Sequence, residues 1–125
     1  MKTMVVVAQM AVRVCFIVLL VLGILFWTGR ANSLVPLHQF LGFVLVLGLW
    51  TLAALAARSQ VPIGLVAIAF AWGLLVPVLG LTQTRIAPGS LHWIVQILHL
   101  LVGLVAVGLA ESLARRLREG RLRAD

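Results

Sequence analysis

The chain has 125 residues, of which 63% are hydrophobic and only 10% charged, with a mean hydropathy of +1.19. A water-soluble domain of this size cannot hide that much apolar surface in one small core, whereas in lipid nothing needs hiding. The net charge of +7 comes mostly from Arg115, Arg116, Arg118, Arg121 and Arg123. Topogenic charge beside anionic lipid headgroups accounts for that run, and it argues against nucleic acid as the partner.

Crossing a hydrocarbon core about 30 Å thick takes roughly 20 residues of helix. Four apolar runs of that length follow one another. The first goes from Val5 to Thr28 and is broken once by Arg13, whose long side chain is expected to snorkel to the nearer surface. Lys2 before it suggests a leader peptide. The run is long for one and holds an arginine, and its removal would invert the charge bias of the rest, so it is expected to stay. Cys15 lies within it as the single cysteine, a packing residue with no partner for a disulfide.

After Gly29-Arg30-Ala31-Asn32-Ser33, the second run spans Leu34 to Ala57. Arg58-Ser59-Gln60 separates it from the third, Val61 to Leu81, which contains Pro77, expected to kink the helix and free a carbonyl. The fourth run goes from Leu91 to about Leu113 and leads into a basic tail, residues 114–125. Pro36, Pro62 and Pro88 stand near helix starts, where a missing N–H does little harm. The reading is one all-α domain over residues 1–125: an integral membrane four-helix bundle, its sequential helices antiparallel because the connections are short.

Arginine placement orients the bundle. Lys2, Arg13, Arg58 and the tail cluster fall on one side, and only Arg30 and Arg85 on the other. The positive-inside rule then places both termini in the cytoplasm, as for a multi-pass protein of a bacterial inner membrane. Trp27 and Trp93 mark the outer interface. Trp50 and Trp72 fall in mid-membrane and are expected to pack without a functional role. Glu111 is near enough to the inner surface to pair with Arg115.

An internal repeat carries the functional reading. Leu37-His38-Gln39-Phe40-Leu41-Gly42-Phe43-Val44 aligns with Leu98-His99-Leu100-Leu101-Val102-Gly103-Leu104-Val105. The two segments lie on helices running the same way, so the halves can be related by an axis along the membrane normal, with His38 facing His99. A histidine and a glycine four apart share a helix face. A histidine bound to a porphyrin iron brings a flat macrocycle against its own helix, and glycine on the next turn leaves room for it. On helix 4, His92, Gln96, His99, Gly103, Ala106 and Ala110 form one stripe, with Ile94, Leu101, Val105 and Leu109 on the lipid side. The small residues of the stripe also suit close helix packing.

Depth agrees with this pairing. His38 is 20 residues from Arg58, and His92 and His99 are 23 and 16 residues from Arg115. At about 1.5 Å per residue all three histidines fall in the outer leaflet at similar levels. His99 has the motif, and a His38–His92 pair is the alternative. His92 and Gln96, with Arg30 and Arg85 near the same surface, would contact the cofactor's polar edge.

The pair His38/Gly42 and His99/Gly103 within four spans resembles membrane cytochromes of the b type, whose four-helix cores hold haem between histidines on facing helices. The resemblance implies haem b, with His38 and His99 as axial ligands and Gly42 and Gly103 making room for the ring. Many such cytochromes carry two haems near opposite ends of the helices, whereas here every histidine is in the outer half. Electron passage across the bilayer would then need a quinol diffusing in the membrane, a redox partner protein, or assembly as a homo-oligomer or a subunit of a larger complex.

Three other readings compete. A small transporter matches the chain in size, but proton-coupled export relies on a mid-membrane carboxylate, and no Asp or Glu occurs between Met1 and Ala110. A scaffold subunit of a larger membrane complex has no chemistry to look for. A nucleophilic hydrolase would need an acidic partner for its histidine at depth, and none is present. An electron carrier or binding protein is thus expected before a stand-alone enzyme.

Overall fold

The computed structural model describes residues 1–122, and side chains as far as Gly120. Arg123 lies outside the described residues, as does the side chain of Arg121. Four helices account for nearly all of the described residues, with no strand among them: α1 (Lys2–Trp27), α2 (Val35–Ala57), α3 (Ile63–Thr82) and α4 (His92–Leu122). All four are long and apolar enough to cross a membrane, the makeup of a multi-pass membrane protein.

The connections are built from the expected punctuation. α1 ends where Gly29 turns left-handed at φ +74°, which lets the Arg30 N–H reach back to the Leu25 carbonyl at 2.8 Å. That contact satisfies a carbonyl the helix would otherwise leave bare. A short 3-10 turn, Asn32–Leu34, then leads into α2, with Pro36 in its first turn. Pro62 precedes α3, and its carbonyl accepts the N–H of Leu65 at 3.0 Å. A second 3-10 turn, Gln83–Arg85, and the left-handed Gly89 carry the chain into α4. α4 runs to Leu122 instead of ending near Leu113, because Leu113, Ala114 and Leu117 continue its buried seam into the basic segment.

α2 and α4 touch across the bundle, and α1 and α3 each pack against both of them. The seam is made of small and branched residues. Leu49, Leu52, Ala53, Ala56, Ala69, Ala106, Ala110 and Leu113 are fully buried. Gly48 admits α1 closely enough that a Cβ there would stand 2.7 Å from Val12 Cγ2 and 3.2 Å from the Ala8 carbonyl oxygen. Cys15 is buried in the same core, as expected. On α4, Ile94, Leu101 and Val105 are exposed, but Leu109 is half-buried against the core.

The mid-membrane tryptophans turn out to join helices. The Trp50 indole N–H donates to the Phe70 carbonyl at 3.2 Å, linking α2 to α3, and that of Trp72 donates to Val102 at 2.9 Å, linking α3 to α4. In hydrocarbon no water competes for these carbonyls, so the indole satisfies its own N–H by bridging to the next helix. Trp50 lies on Gly73, where a Cβ would fall on the indole. Gly73→Ala should therefore push the indole off Phe70 and destabilise the bundle by about 1–3 kcal/mol. Thermal unfolding in detergent checks this; an unchanged melting temperature would show that the indole relocates freely.

The charged residues of α1 and α4 correct two expectations. Arg13 does not reach alone for the surface, and Glu111 does not pair with Arg115. Arg13 instead grips Glu111 with two bonds, Nε to Oε1 at 2.6 Å and Nη2 to Oε2 at 2.8 Å. Gln9, only 3% exposed, donates to Glu111 Oε2 at 2.6 Å and accepts from Arg118. The physical reason is helix packing: Gln9 and Arg13, one turn apart, face α4, where the fork-shaped guanidinium satisfies both carboxylate oxygens at once. Arg115 lies on the exposed side of α4 and cannot match that.

Candidate functional site

The site lies in the half of the bundle nearer the α1–α2 and α3–α4 connections, where the packed seam gives way to a cavity of about 380 Å³. All four helices line it. Its deep wall is apolar, with Phe16, Leu19, Leu45 and Val76, while Gln39, Gln83, Thr84, His92 and Gln96 stand toward the connections. Such a cavity suits a flat or elongated apolar ligand with one polar edge.

His38 comes from the first turns of α2 and His99 from the second turn of α4. Because α2 and α4 are the helices that meet across the bundle, their rings converge, with centroids 6.2 Å apart and planes inclined at 45°. The Phe26 ring meets His38 edge-on at 5.4 Å. Both Nδ1 atoms are sealed from solvent without a hydrogen-bond partner. A buried polar atom without a partner typically costs about 1–3 kcal/mol, so a pair of them marks a place with more than packing to do.

Gly42 and Gly103 both line the cavity, and a Cβ on either would meet no atom within 4 Å. Close helix contact, as at Gly48 and Gly73, is therefore not their role; they border open space one turn from each histidine. Two further glycines lie against the histidines from the neighbouring helices. A Cβ at Gly23 of α1 would stand 4.0 Å from His38 Cε1, and one at Gly80 of α3 only 3.2 Å from His99 Cε1. Each helix thus contributes one glycine to the site. The signal for the second pair is in the sequence: Val21-Leu22-Gly23 in α1 repeats as Val78-Leu79-Gly80 in α3, with both leucines buried. The repeat of the Leu-His segments therefore extends to the preceding helix of each half.

The remaining expected residues divide. His92 and Gln96 line the cavity, and His92 Nδ1 lies 3.5 Å from the Ile86 carbonyl. Arg30, in the α1–α2 connection, and Arg85, in the turn after α3, are exposed and do not line it. Pro77 does line it, one turn before Gly80.

The geometry can be compared with a bound metal. Two imidazoles held through Nε2 by one metal at about 2 Å each would have ring centres roughly 6 Å apart, since each centre lies about 1.1 Å beyond its nitrogen. The observed 6.2 Å fits that spacing. No group of three or more His, Cys, Asp or Glu gathers as a metal site among the described residues. Two protein ligands suffice only where other atoms fill the remaining positions, as the four nitrogens of a porphyrin do. Ligation through Nε2 would leave the proton on Nδ1, so the rings would be held by packing against Phe26, Gly23 and Gly80 instead of by the Nδ1 hydrogen bond that most metal-bound histidines make.

Comparison with protein-family models, curated proteins and solved structures finds no match for this chain.

Proposed function

We propose that this chain is a membrane haem b protein, a small bis-histidine cytochrome of electron transfer or haem handling. One observation supports it above the rest: His38 and His99 meet at 6.2 Å beside a cavity flanked by Gly42 and Gly103. His38 and His99 would be the axial ligands, and Gly42 and Gly103 would leave the clearance the macrocycle needs. His92 and Gln96 would meet its polar edge. Haem, when bound, would supply a one-electron iron couple. The chain would hold that couple between His38 and His99, in a largely apolar pocket.

The proposal includes the topology. Contacts of His38 with Gly23 and Phe26, and of Gly48 with Ala8 and Val12, favour antiparallel pairing of α1 and α2. The arginine distribution favours cytoplasmic termini in a bacterial inner membrane. The haem would then lie toward the outer leaflet, within reach of a quinol in the bilayer or of a redox protein at the outer surface. Arg30 and Arg85 would act at that surface, outside the cavity.

An absorption spectrum of the detergent-purified protein, before and after dithionite, tests the reading. The expected result is a sharp Soret band and split visible bands on reduction, as six-coordinate bis-histidine iron gives. A colourless preparation from haem-replete cells would leave the scaffold reading in its place.

A further inference from the structure

We propose that the opposite end of the bundle, where the first turn of α1 meets the last turns of α4, holds a site for the phosphate of an anionic phospholipid. The proposal is independent of the haem reading.

Arginine is in excess here: Arg13, Arg115, Arg116 and Arg118 stand against two carboxylates, Glu111 and the exposed Glu119. The Arg13–Glu111 bridge is the one ion pair among the described residues. With Glu111 occupied, Arg115 and Arg116 are exposed and without an ion pair among those residues. Arg118 is exposed too, but it is positioned: its Nη1 donates to Gln9 Oε1, and Gln9 is fixed by its second bond to Glu111. A buried amide bonded at both its nitrogen and its oxygen therefore holds one arginine against α1, with the other two within a turn of it along the chain. Arg13 neutralises Glu111, and the exposed Glu119 offsets one of the three α4 arginines, which leaves the cluster positive.

The level is right for a headgroup. α4 has 31 residues, about 46 Å of helix against a hydrocarbon core of about 30 Å, so its last turns must pass the core boundary. The arginines begin where the apolar run ends, after Leu113. Guanidinium groups take phosphate oxygens in pairs, and the phosphate is what a phospholipid presents at that depth. A zwitterionic headgroup would bring its own ammonium against the cluster. An anionic one would not, and it is the species the site selects.

The test uses the full chain reconstituted in phosphatidylcholine vesicles, with spin-labelled phosphatidylglycerol or phosphatidylcholine as probe. The measured quantity is the relative association constant from the motionally restricted spectral fraction. The expected preference for phosphatidylglycerol is about five-fold for each arginine in contact, falling as salt rises. Arg115→Gln with Arg116→Gln, which leaves the Gln9 network intact, should cut the preference to about the five-fold that Arg118 alone supplies. Gln9→Leu keeps every charge but releases Arg118, and should lower the preference part of the way. Equal association of both lipids with the wild type would overturn the proposal, as would wild-type selectivity in the double variant. Unchanged selectivity in Gln9→Leu would overturn the built site and leave only diffuse attraction.

Discussion

Replacing His38 or His99 with alanine is expected to abolish the six-coordinate haem spectrum, either by losing the haem or by leaving the iron five-coordinate. His92→Ala is expected to keep it. The difference follows from placement. The His38 and His99 rings stand 6.2 Å apart, so each removal would take away one of the two side chains proposed to hold the iron. His92 borders the same cavity from the first turn of α4, with its ring beside the Ile86 carbonyl, and its loss changes the polar edge alone. A modest shift in reduction potential is its expected signature. Added imidazole gives a further check, since it can occupy the space vacated in His38→Ala or His99→Ala and restore six-coordination. Loss of binding in His92→Ala with retention in His99→Ala would reassign the pair to His38 and His92.

Leucine at Gly42 or Gly103 is expected to exclude haem while leaving the fold as stable as before. A Cβ at either position meets nothing within 4 Å, so the new side chain enters the cavity without displacing a helix. Leucine also propagates a helix better than glycine by close to 1 kcal/mol, which favours an equal or higher melting temperature for the haem-free protein. Gly48→Leu supplies the contrast: its side chain would run into Val12 and the Ala8 carbonyl, and the bundle should loosen whether or not haem is present. Alanine at Gly42 or Gly103 should weaken binding without abolishing it. The paired measurements are haem stoichiometry and melting temperature. Full haem occupancy in both leucine variants would remove the slot and, with it, the meaning given to the repeated Leu-His segments.

The two ends of the bundle solve the same problem differently. At the end where α1 and α4 are cross-linked, the buried Gln9 is matched within the protein: it forms one connected set with Arg13, Glu111 and Arg118. At the histidine end the matching is missing, and two imidazole nitrogens remain without partners next to open space. Polar groups in a membrane interior are expensive to leave unpaired.

The four helices and the turns between them were legible in the sequence because a bilayer imposes a length on apolar runs, and because proline and glycine punctuate the turns. The facing of His38 and His99 was legible too, through the repeat, since a spacing of four on a helix fixes which residues share a face. What α4 does beyond Leu113 was not, because arginine is as helical as leucine and hydropathy marks only where lipid ends. Nor was Glu111's partner: sequence distance favoured Arg115, one turn away, but the seam between α1 and α4 brought Arg13 closer. The tryptophans and the glycines illustrate the same limit. Gly42, Gly48, Gly73 and Gly103 look alike in a low-complexity apolar chain. Only the packed helices separate those that admit Val12 and Trp50 from those that border empty space, because a glycine's role is set by whatever occupies the volume its missing side chain leaves.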